Sequence, residues 1–269
     1  MFDKYQGNPF DVLPIWDFCN ENGLKLIEDC CDAVGSTIHG FKAGTLGDIS
    51  TASFYPAHHI TTGEGGMVMT KSPRLNKVIE SYRDWGRDCW CKPGCDNTCG
   101  KRFTQHIGEL PFGYDHKYTY SRIGYNLKGT EFQGALGVAQ MPRLKGFAEK
   151  RKHNFKRLYE GLLDMRDVFI LPKATDDSDP SWFGFPLTVQ YPYHRDIIVH
   201  ELESKGVGTR PLFGGNLTRQ PAYRNEEYRI IGNLINSDVV MHDTFWVGVW
   251  PGIDDDMIDY MLEVFHDIR

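Results

Sequence analysis

The chain has 269 residues, of which 41% are hydrophobic and 25% charged, and its formal net charge is −6. This composition is typical of a globular protein with one large or two smaller domains, and no basic face indicates a nucleic-acid binder. No apolar run approaches the roughly 18 residues of a membrane span and no secretory signal pattern opens the chain, so we expect a cytoplasmic protein.

Short strands alternate with helices in the first third of the sequence. A helix is predicted to end at Gly23, a buried strand follows in "LKLIEDC", and "PRLNKVIESYRDWGRD" has helical periodicity after a proline at an N1-like position. Two further strands are predicted in "DISTASFYPA" and "GGMVMT". This alternation predicts an α/β sheet covered by helices. Since the sequence opens on a helix, we expect the first strands of such a sheet to be missing.

The pattern changes twice along the rest of the chain. The segment from Cys89 to about Phe103 has no apolar period and is predicted to be a loop that a metal or another tie must order. A long helical stretch follows Gly129, with a break at Pro142, and after about Asp164 the pattern is that of a smaller α+β domain. We therefore predict a larger domain at 1–163 with a cysteine-rich insert at 87–105, and a smaller domain at 164–269.

Two strand ends carry candidate functional residues. Asp29 ends the strand in "IEDCCDAVG", where open α/β sheets place their ligands, and its carboxylate could hold a protonated heterocyclic nitrogen or cap a helix. In "SFYPAHHITTGEGG", the Ser53 hydroxyl and the glycine amides could bind a phosphate. An ordinary β-turn bearing a surface histidine pair, His58 and His59, is the alternative interpretation of this second motif.

Taken together, "IED..D..G" and "SF...H.ITTGEGG" resemble two blocks of the DegT/DnrJ/EryC1/StrS sugar aminotransferases, and "GYNLKGTEFQGALGVAQMPRL" (124–144) is similar to a third. The resemblance implies the aspartate-aminotransferase fold of type I pyridoxal-phosphate enzymes. In that fold the chain would form part of a large domain with a mixed, mostly parallel sheet, followed by a smaller C-terminal α+β domain. A nucleotide-sugar substrate and a homodimer are also implied.

The family's cofactor-binding lysine aligns with His58 in this sequence. An imidazole cannot form the stable Schiff base of that lysine, but it can act as a general base near neutral pH. The resemblance therefore implies a cofactor held without a covalent tether, pyridoxamine 5'-phosphate being the working form of pyridoxal 5'-phosphate. The implied roles are His58 as the base, Tyr55 and Asp32 as assisting groups near the cofactor, Asp29 on the ring nitrogen, Ser53 on the phosphate, and Asn126 on the phosphate of the partner subunit's site. His59 falls where family members vary.

The chain has seven cysteines, and this odd number without a signal peptide argues against a disulfide framework. Cys31, Cys89, Cys91 and Cys99 have the spacing C-x57-C-x-C-x7-C, which resembles the [2Fe–2S] signature of the iron–sulfur 3-dehydrases of this family. A local zinc site that uses Cys95 in place of Cys31 is the alternative, although its spacing matches common zinc motifs poorly.

The activity implied by these resemblances is C3 dehydration and deoxygenation of a CDP-linked 4-keto-6-deoxyhexose in 3,6-dideoxyhexose (O-antigen) biosynthesis. Electrons would come through the cluster from a separate NAD(P)H-dependent flavin reductase. Arg210, Asn216 and Arg219 have a composition suited to the substrate diphosphate, or to a solvated surface loop. The alternatives are a GDP-sugar 3-dehydratase without a cluster, and a non-catalytic remnant that lacks the family's N-terminal segment.

Overall fold

The computed structural model describes residues 2–3, 5–91 and 94–268. The elements of its first part are β1 (Phe2–Asp3), α1 (Leu13–Glu21), β2 (Ile27–Asp29), β3 (Thr37–Ile38), β4 (Phe41–Lys42), β5 (Ile49–Ser53), β6 (Gly66–Met69) and α2 (Pro73–Arg83). They are followed by α3 (Glu131–Gln140), α4 (Leu144–Gly161), β7 (Phe169–Ile170), β8 (Ser178–Asp179), β9 (Gly184–Val189), α5 (Arg195–Ser204), β10 (Thr209–Pro211), α6 (Ile235–Asp243), β11 (Thr244–Gly248) and α7 (Asp255–His266).

The first sheet has the strand order β1-β2-β5-β6. Its β1–β2 and β2–β5 pairs are parallel and its β5–β6 pair is antiparallel, so the sheet is mixed and mostly parallel, as predicted. The expectation that the chain opens on a helix is wrong, because β1 precedes α1 and pairs with β2 in the register Phe2↔Glu28. A two-residue strand has no readable alternation of apolar and polar residues, and only its pairing with β2 reveals it.

Local capping explains where several helices begin. The Ser72 side chain accepts a hydrogen bond from the Leu75 amide at the start of α2, and Thr130 and Gln133 form a capping box at the start of α3. The predicted break at Pro142 is confirmed, because a 3₁₀ turn over Met141–Arg143 separates α3 from α4. A proline at this position cannot continue the hydrogen-bond ladder of the preceding helix.

The second sheet is antiparallel, with the order β10-β11-β9-β7, and it carries the main hydrophobic core. Strand residues such as Phe185 and Phe245 face apolar side chains of α7, among them Phe265. Helix α4 adds Phe155 and Leu158 to this core, although it precedes the predicted boundary at residue 164. The helix therefore packs on the C-terminal sheet while its N-terminal end lies near the first sheet's loops.

A third, small sheet of order β4-β3-β8 joins the two parts of the chain. It pairs Thr37 with Asp179, and close to it the Ser36 hydroxyl donates to the Gly7 carbonyl and accepts from the Ser181 amide, both at 2.8 Å. None of the helices in the described ranges is long and apolar enough to cross a membrane.

Candidate active site

Asp29 ends β2 beside the parallel strand β5, with Asp29 and Thr51 in register. Its Oδ1 accepts hydrogen bonds from the Thr51 hydroxyl at 2.8 Å and from the Cys31 amide at 3.1 Å. Burial raises the pKa of Asp29, but the hydrogen bonds from Cys31 and Thr51, together with the nearby His58, lower it below the ordinary value overall. The carboxylate therefore remains ionised at neutral pH, as a partner for a protonated ring nitrogen must.

His58 lies in the turn after β5, where its amide donates to the Tyr55 carbonyl at 3.0 Å. Its Nε2 lies 3.3 Å from Oδ1 of the buried Asp32, and its ring meets Phe183 edge-on with centroids 5.3 Å apart. The buried Nδ1 has no hydrogen-bond partner in the described part of the chain. A carboxylate on Nε2 fixes the tautomer that leaves Nδ1 free to accept a proton, which is the arrangement of a general base.

The other predicted cofactor residues lie at different distances from this pair. Tyr55 is half exposed, its ring centroid is 5.7 Å from that of His58, and its amide donates to Ser53 Oγ at 3.2 Å. Asn126 is exposed and accepts a hydrogen bond from Lys128 Nζ at 2.7 Å, away from the contacts of Asp29 and His58. The structure therefore brings Asp29, Asp32, Tyr55 and His58 together, with Ser53 beside them.

Arg151, Thr51 and Phe183 also contact this site, and the sequence analysis did not identify them. Arg151 lies in the basic stretch "EKRKHNFKR", where nothing about its residue type separates it from the surrounding surface charges. The helical period could have separated it, because Ala148, Arg151, Phe155 and Leu158 lie on one face and all four are buried.

The second histidine of the pair has a structural role. His59 is buried, and its Nε2 donates to the Ser181 carbonyl at 2.7 Å. Burial, assisted by the positive charge of Arg151, lowers the pKa of His59 from 6.5 to about 3. His59 therefore stays neutral in the folded protein and links the loop after β5 to the segment that leads into β9.

This neutral histidine predicts a pH dependence of stability. Between pH 3 and 6.5 the unfolded chain binds a proton at His59 that the folded chain does not, so the free energy of unfolding should rise with pH in this window. The contribution is at most about 1.4 kcal/mol per pH unit. Urea unfolding at several pH values should show a shallower slope for His59→Gln than for the exposed control His200→Gln. Equal slopes in both variants and the wild type would contradict the prediction.

The predicted metal ligands fall into two groups. Cys89, Cys91 and Cys99 line one small cavity in the loop after α2, and Cys99 Sγ lies 3.7 Å from Nδ1 of the buried His116. Hydrogen bonds from Thr98 and from the neighbouring thiols lower the pKa of Cys91 to about 7. The exposed Cys95 is not among the residues that line this cavity.

Cys31 stays at the end of β2, where its Sγ lies 3.8 Å from the Thr51 hydroxyl. Burial, together with the hydrogen bond and charge of Asp29, raises its pKa to about 12. In the described ranges, no group of three or more His, Cys, Asp or Glu side chains has an arrangement that could hold a metal ion. Cys31 lies at the strand end and is not among the residues that line the cavity of the other three thiols. The four-cysteine site therefore stays a prediction.

The predicted diphosphate residues are engaged with carboxylates of their own region. Arg219 Nη2 donates to Asp238 Oδ2 at 2.6 Å, and the Asn216 amide donates to Asp238 Oδ1 at 2.8 Å. Arg210 is exposed and lies 4.0 Å from Glu203. Their role in substrate binding stays a prediction.

Comparison with known proteins shows the family of this chain. The family model of the DegT/DnrJ/EryC1/StrS aminotransferases matches residues 1–266. The chain is 54% identical to the "lipopolysaccharide biosynthesis protein RfbH" of Salmonella typhimurium over 97% of its own length. It is 56% identical to the "dTDP-4-dehydro-2,6-dideoxy-D-glucose 3-dehydratase" of Saccharopolyspora spinosa over 96%. It spans only 60% and 56% of the lengths of these two relatives.

Solved structures show the same fold. An E. coli GDP-4-keto-6-deoxy-D-mannose-3-dehydratase with bound hydrated pyridoxal phosphate superposes with a TM-score of 0.83 at 26% identity, over 98% of this chain and 66% of that one. The predicted fold of pyridoxal-phosphate-dependent aminotransferases is therefore confirmed. The chain belongs to the DegT/DnrJ/EryC1/StrS aminotransferase family.

Proposed function

We propose that this chain carries the acid–base site of a pyridoxamine-phosphate-dependent 3-dehydratase acting on a nucleotide-linked 4-keto-6-deoxyhexose. The observation that carries the proposal is the pair of the half-buried His58 and the buried Asp32 beside Asp29, at the position where family members hold their cofactor lysine. An ordinary transaminase needs that lysine to tether the cofactor and to move protons. A histidine paired with a carboxylate keeps only the second of these abilities.

The residues present fit the cofactor. The Asp29 carboxylate is ionised at a strand end, and the buried Nδ1 of His58 has no hydrogen-bond partner among the residues that the structure describes. A bound pyridoxamine phosphate supplies a conjugated electron sink. Asp29 would hold the proton of the ring nitrogen and Ser53 would donate to the phosphate. His58 Nδ1 would accept a carbon-bound proton, while Asp32 stabilises the imidazolium through Nε2.

The finer proposal specifies CDP as the nucleotide, a [2Fe–2S] cluster on Cys31, Cys89, Cys91 and Cys99, and an NAD(P)H-dependent flavin reductase as the electron donor. The cysteine spacing supports it, as does the gathering of three thiols around one cavity. The arrangement fits the cluster only in part, because Cys31 is not among the residues that line this cavity and its Sγ lies 3.8 Å from the Thr51 hydroxyl. The roles proposed above for Asp29, Ser53 and His58 do not depend on the cluster.

The separate position of Cys31 favours a second candidate, a 3-dehydratase without a cluster. In that case Cys31 serves as a half-buried thiol beside Asp29, and the loop cysteines are structural. Proteins named GDP-4-keto-6-deoxy-D-mannose 3-dehydratase are among the relatives, one from Yersinia pseudotuberculosis at 29% identity. Iron content separates the two candidates.

A homodimer belongs to the proposal because several large apolar side chains in one segment of the chain are exposed. Phe112, Ile123, Phe132 and Val138 are between 75% and 92% exposed in and before α3. Large apolar side chains that are grouped on a protein surface commonly mark protein–protein contacts. Asn126 lies within the same segment, in keeping with its proposed role at the partner subunit's site.

Anaerobic purification followed by iron and acid-labile sulfide assays tests the cluster. We expect about two irons and two sulfides per chain with charge-transfer bands in the visible spectrum, since four thiolates hold such a cluster. Cys89→Ser should lose this iron, whereas Cys95→Ser, in the same loop but outside the proposed ligand set, should retain it. Zinc without iron would rule out the iron–sulfur proposal. Turnover of CDP-, dTDP- or GDP-linked 4-keto-6-deoxyhexoses then identifies the nucleotide.

A further inference from the structure

Arg151 of α4 is buried, with 2% of its surface exposed. Its Nη1 donates to the carbonyls of Phe183 at 3.1 Å and Trp182 at 3.5 Å, and its Nη2 donates to the His58 carbonyl at 3.5 Å. Within the described part of the chain it forms no ion pair at 4.0 Å or less. The guanidinium carbon also lies 5.9 Å from the centroid of the Phe183 ring. Burying a guanidinium that has no close carboxylate is costly, so packing alone does not account for an arginine here.

The charge of Arg151 acts on the candidate active site. Burial lowers the pKa of Arg151 to about 10, and the negative charge of Asp32 opposes this change. The group is therefore a cation at neutral pH, attracted by the Asp32 carboxylate from a distance greater than 4.0 Å. The same carboxylate lies 3.3 Å from His58 Nε2, so the charges of Arg151 and Asp32 both act at the His58 imidazole.

The three contacts of Arg151 also join two parts of the fold. The His58 carbonyl belongs to the loop after β5. The carbonyls of Trp182 and Phe183 belong to the two residues directly before β9. The Phe183 ring lies edge-on to the His58 ring. His58 is thus held at its main chain by Arg151, at its ring by Phe183, and at Nε2 by Asp32.

We propose that Arg151 is a positioning residue for the His58–Asp32 pair, fixing the His58 main chain and supplying the positive charge that keeps the Asp32 carboxylate against Nε2. This inference rests on the proposed function of His58 as a base. It differs from a purely structural role, in which Arg151 would only stabilise the junction between the two sheets.

The test compares Arg151→Met, Arg151→Lys and the exposed control Arg143→Met in the protein with bound pyridoxal phosphate. The first measurement needs no turnover. It records the imidazole N–H resonances of nitrogen-15-labelled protein, and the His58 signal is assigned as the one that is lost in His58→Asn. We expect a downfield Nε2 proton, characteristic of a hydrogen bond to a carboxylate, in the wild type and in the Lys and Arg143 variants. It should move upfield or vanish in Arg151→Met.

The second readout is the split between kcat and KM. Loss of positioning should lower kcat by about 100-fold in Arg151→Met with little change in KM, and Arg151→Lys should restore most of it. Unchanged kcat and an unchanged His58 resonance in Arg151→Met would overturn the proposal, even if its thermal stability falls. If Arg151→Met does not fold, Arg151→Gln replaces it, because glutamine keeps hydrogen-bond donors but has no charge. A His58 resonance and a kcat equal to those of the wild type in Arg151→Gln would then overturn the proposal. If no protein turns over, wild type included, the result counts against the proposed function. The role of Arg151 is then judged from the His58 resonances without the kinetic data.

Discussion

His58→Asn is expected to lower the rate of dehydration by about 10²- to 10⁴-fold, the usual contribution of a general base. Asparagine keeps a polar side chain beside Asp32 but has no basic nitrogen to replace the free Nδ1. The rate should be measured under single-turnover conditions with saturating sugar nucleotide. Because His200 is exposed on α5, His200→Asn is a matched control and should retain wild-type turnover. Dehydration at the wild-type rate in His58→Asn would show that another residue is the base.

His58→Lys adds a readout that is independent of activity. A lysine restores the amine with which family members bind pyridoxal phosphate covalently. After borohydride reduction, mass spectrometry should find the cofactor attached to this variant and not to the wild type, and dehydration should be lost. Failure to attach would show that residue 58 does not face the cofactor aldehyde.

Asp29→Asn is expected to lower turnover by about 10²- to 10³-fold, a typical cost of removing one preorganised electrostatic partner. Asparagine can accept the hydrogen bonds of Thr51 and Cys31, but it lacks the charge that keeps a ring nitrogen protonated. The expected result is a slow enzyme that still binds the cofactor. Absorbance titration measures the cofactor binding, and steady-state kinetics measure the turnover.

Asp48→Asn is the control for Asp29→Asn. Asp48 precedes β5, at the opposite end of the same sheet, and accepts hydrogen bonds from Lys25 and from the Leu26 amide. Its replacement should lower thermal stability with little effect on turnover. A loss of stability without a loss of activity is expected only for Asp48→Asn. If Asp29→Asn behaves in this way, the assignment of Asp29 to the ring nitrogen is wrong.

Much of the site was predictable because its residues follow strands. The runs that form β2 and β5 are recognisable as short strands, and parallel neighbours bring their carboxyl ends to one edge of the sheet. Asp29 and His58 therefore lie at the same edge of the sheet, whereas the contact between His58 and Asp32 was not predicted. Arg151 was not predicted, because it approaches His58 from a helix 93 residues further along the chain.

The cysteines show a limit of spacing arguments. The interval C-x-C-x7-C lies within one loop, so its three thiols come together whatever the rest of the fold does. The 57 intervening residues carry no such guarantee for Cys31, whose position is set by β2 and by its contacts with Asp29 and Thr51. Whether it joins the other ligands depends on tertiary contacts that the interval does not encode.

The sequence by itself determined the family, the α/β alternation, the helix break at Pro142, and the presence of a histidine at position 58. These features depend on local periodicity, capping and residue type, which act over a few neighbouring residues. Only the tertiary structure decided that the chain begins with a strand, that His59 is a buried neutral link to Ser181, and that Asp32 faces His58. Those outcomes depend on burial and on contacts between residues far apart in the chain, and the energies of buried charges are set by all the groups around them.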